Sequence, residues 1–125
     1  MSSAKALLLL TEIRFGRVVF TRSARPMIRP VTHVIDGTMV VIRADPSTSV
    51  AVDHHMVAYQ ADTIDHHTHT GWCVIITGVA EKVTDPEERA RYQRLLRTDL
   101  PDPRTQILRI HPEIITGIEY LRSRR

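Results

Sequence analysis

The chain has 125 residues, 42% of them hydrophobic, which is enough for one core and too few for two. Its formal charge is +3, and every cation except Lys5 and Lys82 is an arginine. Acidic residues lie among them and aromatics make up only 5%, a composition that argues against a nucleic-acid partner. Cys73 is the single cysteine, which excludes an internal disulfide and a cysteine-rich zinc site and fits a reducing, cytoplasmic location.

In chain order, residues 6–10 are apolar but too short for a signal-peptide core, and Thr11-Glu12 cuts them off. They predict an amphipathic helix lying on the rest of the molecule, and no other run reaches the length of a membrane span. Residues 16–21 and 26–35 are rich in β-branched side chains and read as two strands joined through Ser23-Ala24-Arg25. Asp36-Gly37 is a favoured hairpin turn, and residues 38–43 return as a third strand. Residues 43–49 then form a hydroxyl-rich exit loop before a predicted short helix over 50–54. Backbone N–H groups at such a helix start can receive an anion.

Residues 56–61 alternate as a fourth strand, and 72–83 form a long fifth strand in which Gly78 predicts a bend or bulge. Asp85-Pro86, with Glu88 three residues after the cap, opens a helix whose buried stripe is Tyr92, Leu95 and Leu96. Residues 100–103, Leu-Pro-Asp-Pro, stop that helix. Residues 106–110 and 114–120 read as the last two strands, parted by His111-Pro112. Arg89, Arg91, Arg94 and Arg97 read as a solvated helix face, and Arg122-Ser-Arg-Arg125 as a solvated tail.

The order and spacing of Gly16-Arg-Val, Arg25-Pro-Met-Ile-Arg-Pro-Val, the Asp36-Gly37 turn, the Arg43 to Ser49 loop and the segment from Thr70-Gly-Trp-Cys to Glu88 resemble the pyridoxamine 5'-phosphate oxidase-like flavin-binding split β-barrels. The resemblance runs from about Leu8 to Tyr120. It implies a single domain over 1–125 that is mainly β with flanking helices: a split β-barrel of six to seven mostly antiparallel strands and two to three helices. It also implies a homodimer that binds FMN, or a related flavin or deazaflavin, and passes electrons to or from a small-molecule redox substrate.

On that resemblance Arg43 is the charge partner of the phosphate, with Ser47, Thr48 and Ser49 as its hydroxyl and backbone donors. Arg29, Pro30, Val31 and Thr32 lie along the edge of the isoalloxazine, and Trp72 is a further flavin contact. The residues alone allow duller readings: an ordinary strand exit with surface hydroxyls, and an aromatic plugging one end of the barrel.

Two departures matter. Relatives carry a lysine as the last residue of the exit tripeptide, where this chain has Ser49, and losing one cation from a phosphate site removes roughly 1 kcal/mol or more of charge-assisted binding. The arginine-bearing terminal segment of authentic vitamin B6 oxidases is also missing, so that substrate is not expected. A cofactor-free family member acting as a binding or structural protein is the alternative reading.

No nucleophile is paired with an oriented base at recognisable spacing, so no catalytic residue is named. Asp53-His-His55 and Asp65-His-His-Thr-His69 hold five of the 7 histidines, a composition compatible with zinc, nickel, copper or haem iron. Adjacent histidines in extended chain point to opposite faces, however, and the second group falls in a polar loop, so no metal site is assigned. His33 reads as a buried histidine satisfied by backbone, and Cys73 as a small core side chain.

Overall fold

The computed structural model describes residues 1–96 and 104–122. Six antiparallel strands close into a barrel, β1 (Phe15–Arg22), β2 (Arg25–Asp36), β3 (Met39–Ala44), β4 (Met56–Asp62), β5 (Gly71–Lys82) and β6 (Gln106–Tyr120), in the spatial order β1-β2-β3-β6-β5-β4. Among the described residues three helices accompany it: α1 (Ser3–Leu10), α2 (Pro46–Val52) and α3 (Pro86–Leu95). Alternate residues of every strand point inward, so Val18, Val31, Val40, Ile42, Tyr59, Val74, Ile76, Leu108 and Ile110 fill one core. This is the split-barrel class that the sequence predicts.

Both hairpins form with two-residue turns. Ser23 and Ala24 carry φ of 50° and 61° between Arg22 and Arg25, a conformation that L-residues adopt at some cost. In the second hairpin Asp36 pairs with Met39, so the turn residues are Gly37 and Thr38, with Gly37 taking the positive φ of 61°. The bend expected at Gly78 is a β-bulge: Thr77 faces Ile114 while Gly78 faces Pro112, and Glu113 is the extra residue. A Cβ at Gly78 would fall 1.9 Å from the His111 carbonyl oxygen, so only glycine fits.

Some elements differ from expectation. The short helix begins at Pro46 rather than Val50, because Asp45 caps it and Pro46 occupies the first helical turn. Ser47, Thr48 and Ser49 are therefore helical residues and not a loop ahead of a helix. The last two predicted strands are one continuous β6, since the bulge absorbs Pro112 beyond Ile110, where β6 has lost β3 and keeps only β5 as a neighbour. Leu95 is 53% exposed, so the buried stripe of α3 reduces to Tyr92 and Leu96, which pack with Val41, Val83 and Ile107. The predicted helix stop at 100–103 lies outside the described residues.

The helices sit at defined places. α1 packs against β6 and β2 and buries Ala6 and Leu10, whereas α2 packs against β1, β5 and β6 and buries Val52 in the same core. Leu9 of α1 lines one groove with Trp72, and Asp53, just past α2, bridges to Ala80. Those two β5 residues are eight apart in one strand, about 26 Å, so α1 and α2 close opposite ends of the barrel. No helix among the described residues is long and apolar enough to cross a membrane.

Candidate functional site

β2 is twice as long as β3 and pairs with it only from Thr32 to Asp36. From Arg25 to Val31 it therefore has β1 on one side and, among the described residues, no strand partner on the other. This half-strand is the split in the barrel, a run of extended backbone whose hydrogen-bonding groups on one edge are not taken by a ladder. Arg29 and Pro30 are exposed there, while Val31 turns into the core. Among the described residues Arg29 bonds only the neighbouring Ile28 carbonyl, at 2.9 Å. Thr32 stands at the last pair of the ladder, opposite Arg43. Next to the edge, Phe15, Gly16, Arg17, Pro30 and Asp62 line a concavity of about 240 Å³. Arg17 reaches across it to the Gln60 Oε1 at 3.1 Å and to Asp62 at 3.7 Å.

Arg43 points outward on the same side of β3 as Val41, beneath the end of α3. Its Nε donates to Thr105 Oγ1 at 2.6 Å and a terminal nitrogen donates to the Leu96 carbonyl at 3.4 Å. The start of α2 is occupied by the chain itself. Asp45 Oδ1 accepts from Thr48 N–H at 3.3 Å, Ser47 Oγ donates to Asp45 Oδ2 at 3.2 Å, and Ser49 N–H bonds the Asp45 carbonyl at 2.9 Å. The hydrogen bond with Thr48 is the main cause holding the Asp45 carboxyl below its usual range. Thr48 and Ser49 are buried, at 2% and 3% exposure. A dianionic phosphate at this seven-residue helix would meet a carboxylate already seated on the amides it needs.

Trp72 faces the interior and is 9% exposed; it borders a groove at the α1 end together with Leu9, Tyr120 and the Lys5–Glu119 ion pair. Within one chain the structure thus brings Arg29, Pro30, Val31, Thr32 and Arg43 to one edge and seats Ser47, Thr48 and Ser49 on the helix that follows. Trp72 belongs to the other end of the barrel.

The histidine segments are exposed turns. Asp65 Oδ1 accepts from the N–H groups of His67 and Thr68 at 2.8 and 2.9 Å, and His66, His67 and His69 are solvent-facing. Among the described residues no three His, Cys, Asp or Glu side chains gather closely enough to hold a metal ion.

Two polar constellations escape the sequence reading in whole or part. His33 is a buried histidine, as expected, but it bonds Tyr59 as well as the Leu10 carbonyl. Below α3, Asp36 accepts from Tyr92 Oη at 2.5 Å and from Arg91 at 3.0 Å, and Arg109 spans Glu81 at 3.1 Å and Glu88. The Tyr92 bond is the chief cause that holds the Asp36 carboxyl low. These partners are separated by 21 to 56 positions in the chain, so no local motif announces them.

The sequence matches the family described as pyridoxamine 5'-phosphate oxidase over residues 2–119. The chain belongs to that family. It is 44% identical to an uncharacterised Mycobacterium tuberculosis protein, Rv0080, across 97% of this chain and 84% of that one. Among solved structures, an FAD-binding protein from Mycobacterium smegmatis superposes with a TM-score of 0.82 at 29% identity, covering 96% of each chain. An FAD-binding protein from Mesorhizobium loti, 16% identical, covers 97% of this chain and 96% of its own with a TM-score of 0.73, a likeness of fold.

Proposed function

We propose that this family member binds a flavin along the unpaired half of β2 and uses it in a redox reaction on a small molecule in the cytoplasm, as a single domain over 1–125. The observation that carries the reading is the free edge from Arg25 to Val31, which fits the rim of polar atoms on an isoalloxazine, in a chain whose M. smegmatis relative binds FAD. Arg29, Pro30, Val31 and Thr32 hold the ring edge, and Arg43 supplies the cation for the phosphate. FMN is the preferred cofactor, with FAD or a deazaflavin on the same edge. Bound there, a flavin accepts a hydride and passes electrons on, while the protein positions it and sets its electronics. Vitamin B6 oxidation is not part of the proposal.

The start of α2 does not fit the phosphate. Ser47, Thr48 and Ser49 answer Asp45, and no lysine follows. This favours a second reading, a cofactor-free member that binds partners through the same scaffold.

The outer sheet face supports the homodimer in either reading. Ile28, Val19, Ala58, Thr77 and Ile114 form one row across β2, β1, β4, β5 and β6, with Ile28 56% and Ile114 61% exposed. A row this apolar on an uncovered sheet fits a second copy of the chain.

Absorbance of the purified protein, followed by titration of FMN and FAD with flavin fluorescence as the readout, separates the readings. Yellow protein or saturable quenching supports flavin binding. A colourless protein that neither quenches flavin nor gains thermal stability at high micromolar concentration leaves the cofactor-free reading.

A further inference from the structure

The last turn of α1 ends in a histidine from another strand. Leu8 O accepts from Thr11 N–H at 3.1 Å and Leu9 O from Glu12 N–H at 3.0 Å, whereas Leu10 O accepts from His33 Nε2 at 2.9 Å. A carbonyl only accepts, so Nε2 carries the proton. In the neutral ring Nδ1 is then the acceptor of the Tyr59 hydroxyl, whose ring meets the imidazole edge-on at 5.2 Å between centroids. His33 is 2% exposed and Tyr59 is fully buried.

The surroundings contain nothing to balance a charge. α1 offers the Leu10 carbonyl, the segment before β1 offers the Ile13 carbonyl, β4 offers Tyr59, and β3 places Ile42 opposite His33. Among the described residues neither a carboxylate nor a cation bears on the ring. Tyr59 is the one titratable neighbour, and burial keeps it neutral by driving its own pKa up. Protonating His33 would make both nitrogens donors, force Tyr59 Oη to accept, and leave the hydroxyl hydrogen to find another partner inside the core.

We infer that α1 is an acid-released strap over one end of the barrel, with His33 as its trigger. The strands around the ring are held by ladders, whereas α1 has eight residues and no ladder, and is otherwise fixed by Ala6 and Leu10, by the partly buried Leu7 and Leu9, and by the exposed Lys5–Glu119 pair. Water reaches the imidazolium most cheaply by lifting α1. Burial is the largest influence on His33 and lowers its pKa from 6.5, so the docked form holds the ring neutral. The undocked form takes the proton first as pH falls below about 6.5, and docking loses stability from there downward. Glu119 is held low by Lys5, so that pair weakens only in more acidic solution. Lifting α1 removes Leu9 and Lys5 from the groove they line with Trp72, the chain's only tryptophan, and so changes the surroundings of that ring.

The test is a titration from pH 7.5 to 4.5 that follows the ring nitrogens of His33 by NMR, hydrogen exchange over residues 3–12, and Trp72 emission. The expected result is a shared midpoint below pH 6.5 at which His33 is protonated, α1 amides lose at least tenfold in protection and Trp72 shifts to the red, while amides of 71–82 stay protected. His33→Gln keeps a donor for Leu10 without a titrating group and should abolish the transition. The inference is overturned if His33 takes its proton with α1 still protected, if α1 and the strands lose protection together, or if the transition survives in H33Q. Should that variant fail to fold, coincidence or separation of the ring and exchange midpoints in the natural sequence decides the matter.

Discussion

Thr32 and Arg43 face each other at the last rung that β2 shares with β3. Beyond it β2 continues alone, so the mismatch between a 12-residue and a 6-residue strand creates the free edge on which the proposed function rests. Arg43 meanwhile reaches out to Thr105 and Leu96, which ties the cation beside that edge to the far end of α3.

Arg29 is the cleanest probe of the edge, because it is exposed and among the described residues bonds only the adjacent Ile28 carbonyl. Arg29→Ala should weaken flavin binding about tenfold through loss of a charge-assisted contact and leave the melting temperature unchanged. Fluorescence titration with a parallel thermal melt checks both.

Asp45 opposes a phosphate and caps α2. Asp45→Asn keeps a capping oxygen while removing the charge, so flavin affinity should rise by about fivefold at unchanged stability. Asp45→Ala should cost about 1 kcal/mol in denaturant unfolding. The folded-state pKa of Asp45 is depressed, so its contribution is present above the usual carboxylate value of 3.8 and is lost as pH falls below it. The Asn variant should therefore show a shallower loss of stability in acid.

Much of this fold is legible in the sequence for local reasons. β-branched runs, the Asp36-Gly37 signal one residue ahead of the Gly37-Thr38 turn, and Gly78 mark the strands and the bulge, and Asp85-Pro86 with Glu88 marks α3. The same Asp-Pro signature at 45–46 starts α2, but the hydroxyl-rich Ser47-Thr48-Ser49 reads equally well as loop, and only the Asp45 to Thr48 bond decides between them. Pro112 suggests a break because proline removes a ladder donor, yet a bulge on a strand with one neighbour tolerates it. The His33–Tyr59 and Asp36–Tyr92 contacts join residues 26 and 56 positions apart, which only the folded barrel and its helix bring together.

Tyr92 pins α3 to the β2–β3 turn through Asp36. Tyr92→Phe keeps the packing and removes the hydroxyl, and should cost about 1–2 kcal/mol of unfolding free energy at neutral pH. Asp36 is stabilised as the carboxylate, so the loss should shrink as pH falls below 3.8, where the natural protein surrenders the same interaction. Urea titrations at pH 7 and pH 3 measure the difference.

At the bulge, Gly78→Ala should cost about 3 kcal/mol, since the added methyl meets the His111 carbonyl and β5 cannot yield without breaking rungs on both sides. Thermal or urea unfolding reads it directly.

The outer row gives the dimer its own test. Ile114→Asp places a charge on the most exposed apolar residue of the row, at its β6 end, without touching the core, and sedimentation should show a dimer for the natural sequence and a monomer for the variant.

The central claim is a place for the flavin ring, and a crystal structure of the protein soaked with FMN addresses it most directly. The account predicts isoalloxazine density against the backbone of Arg29 to Thr32, with its polar rim bonded to the unpaired edge of β2. Density for the ring elsewhere on the molecule, or a β2 edge bonded to the protein's own chain with no flavin bound at millimolar FMN, would contradict it.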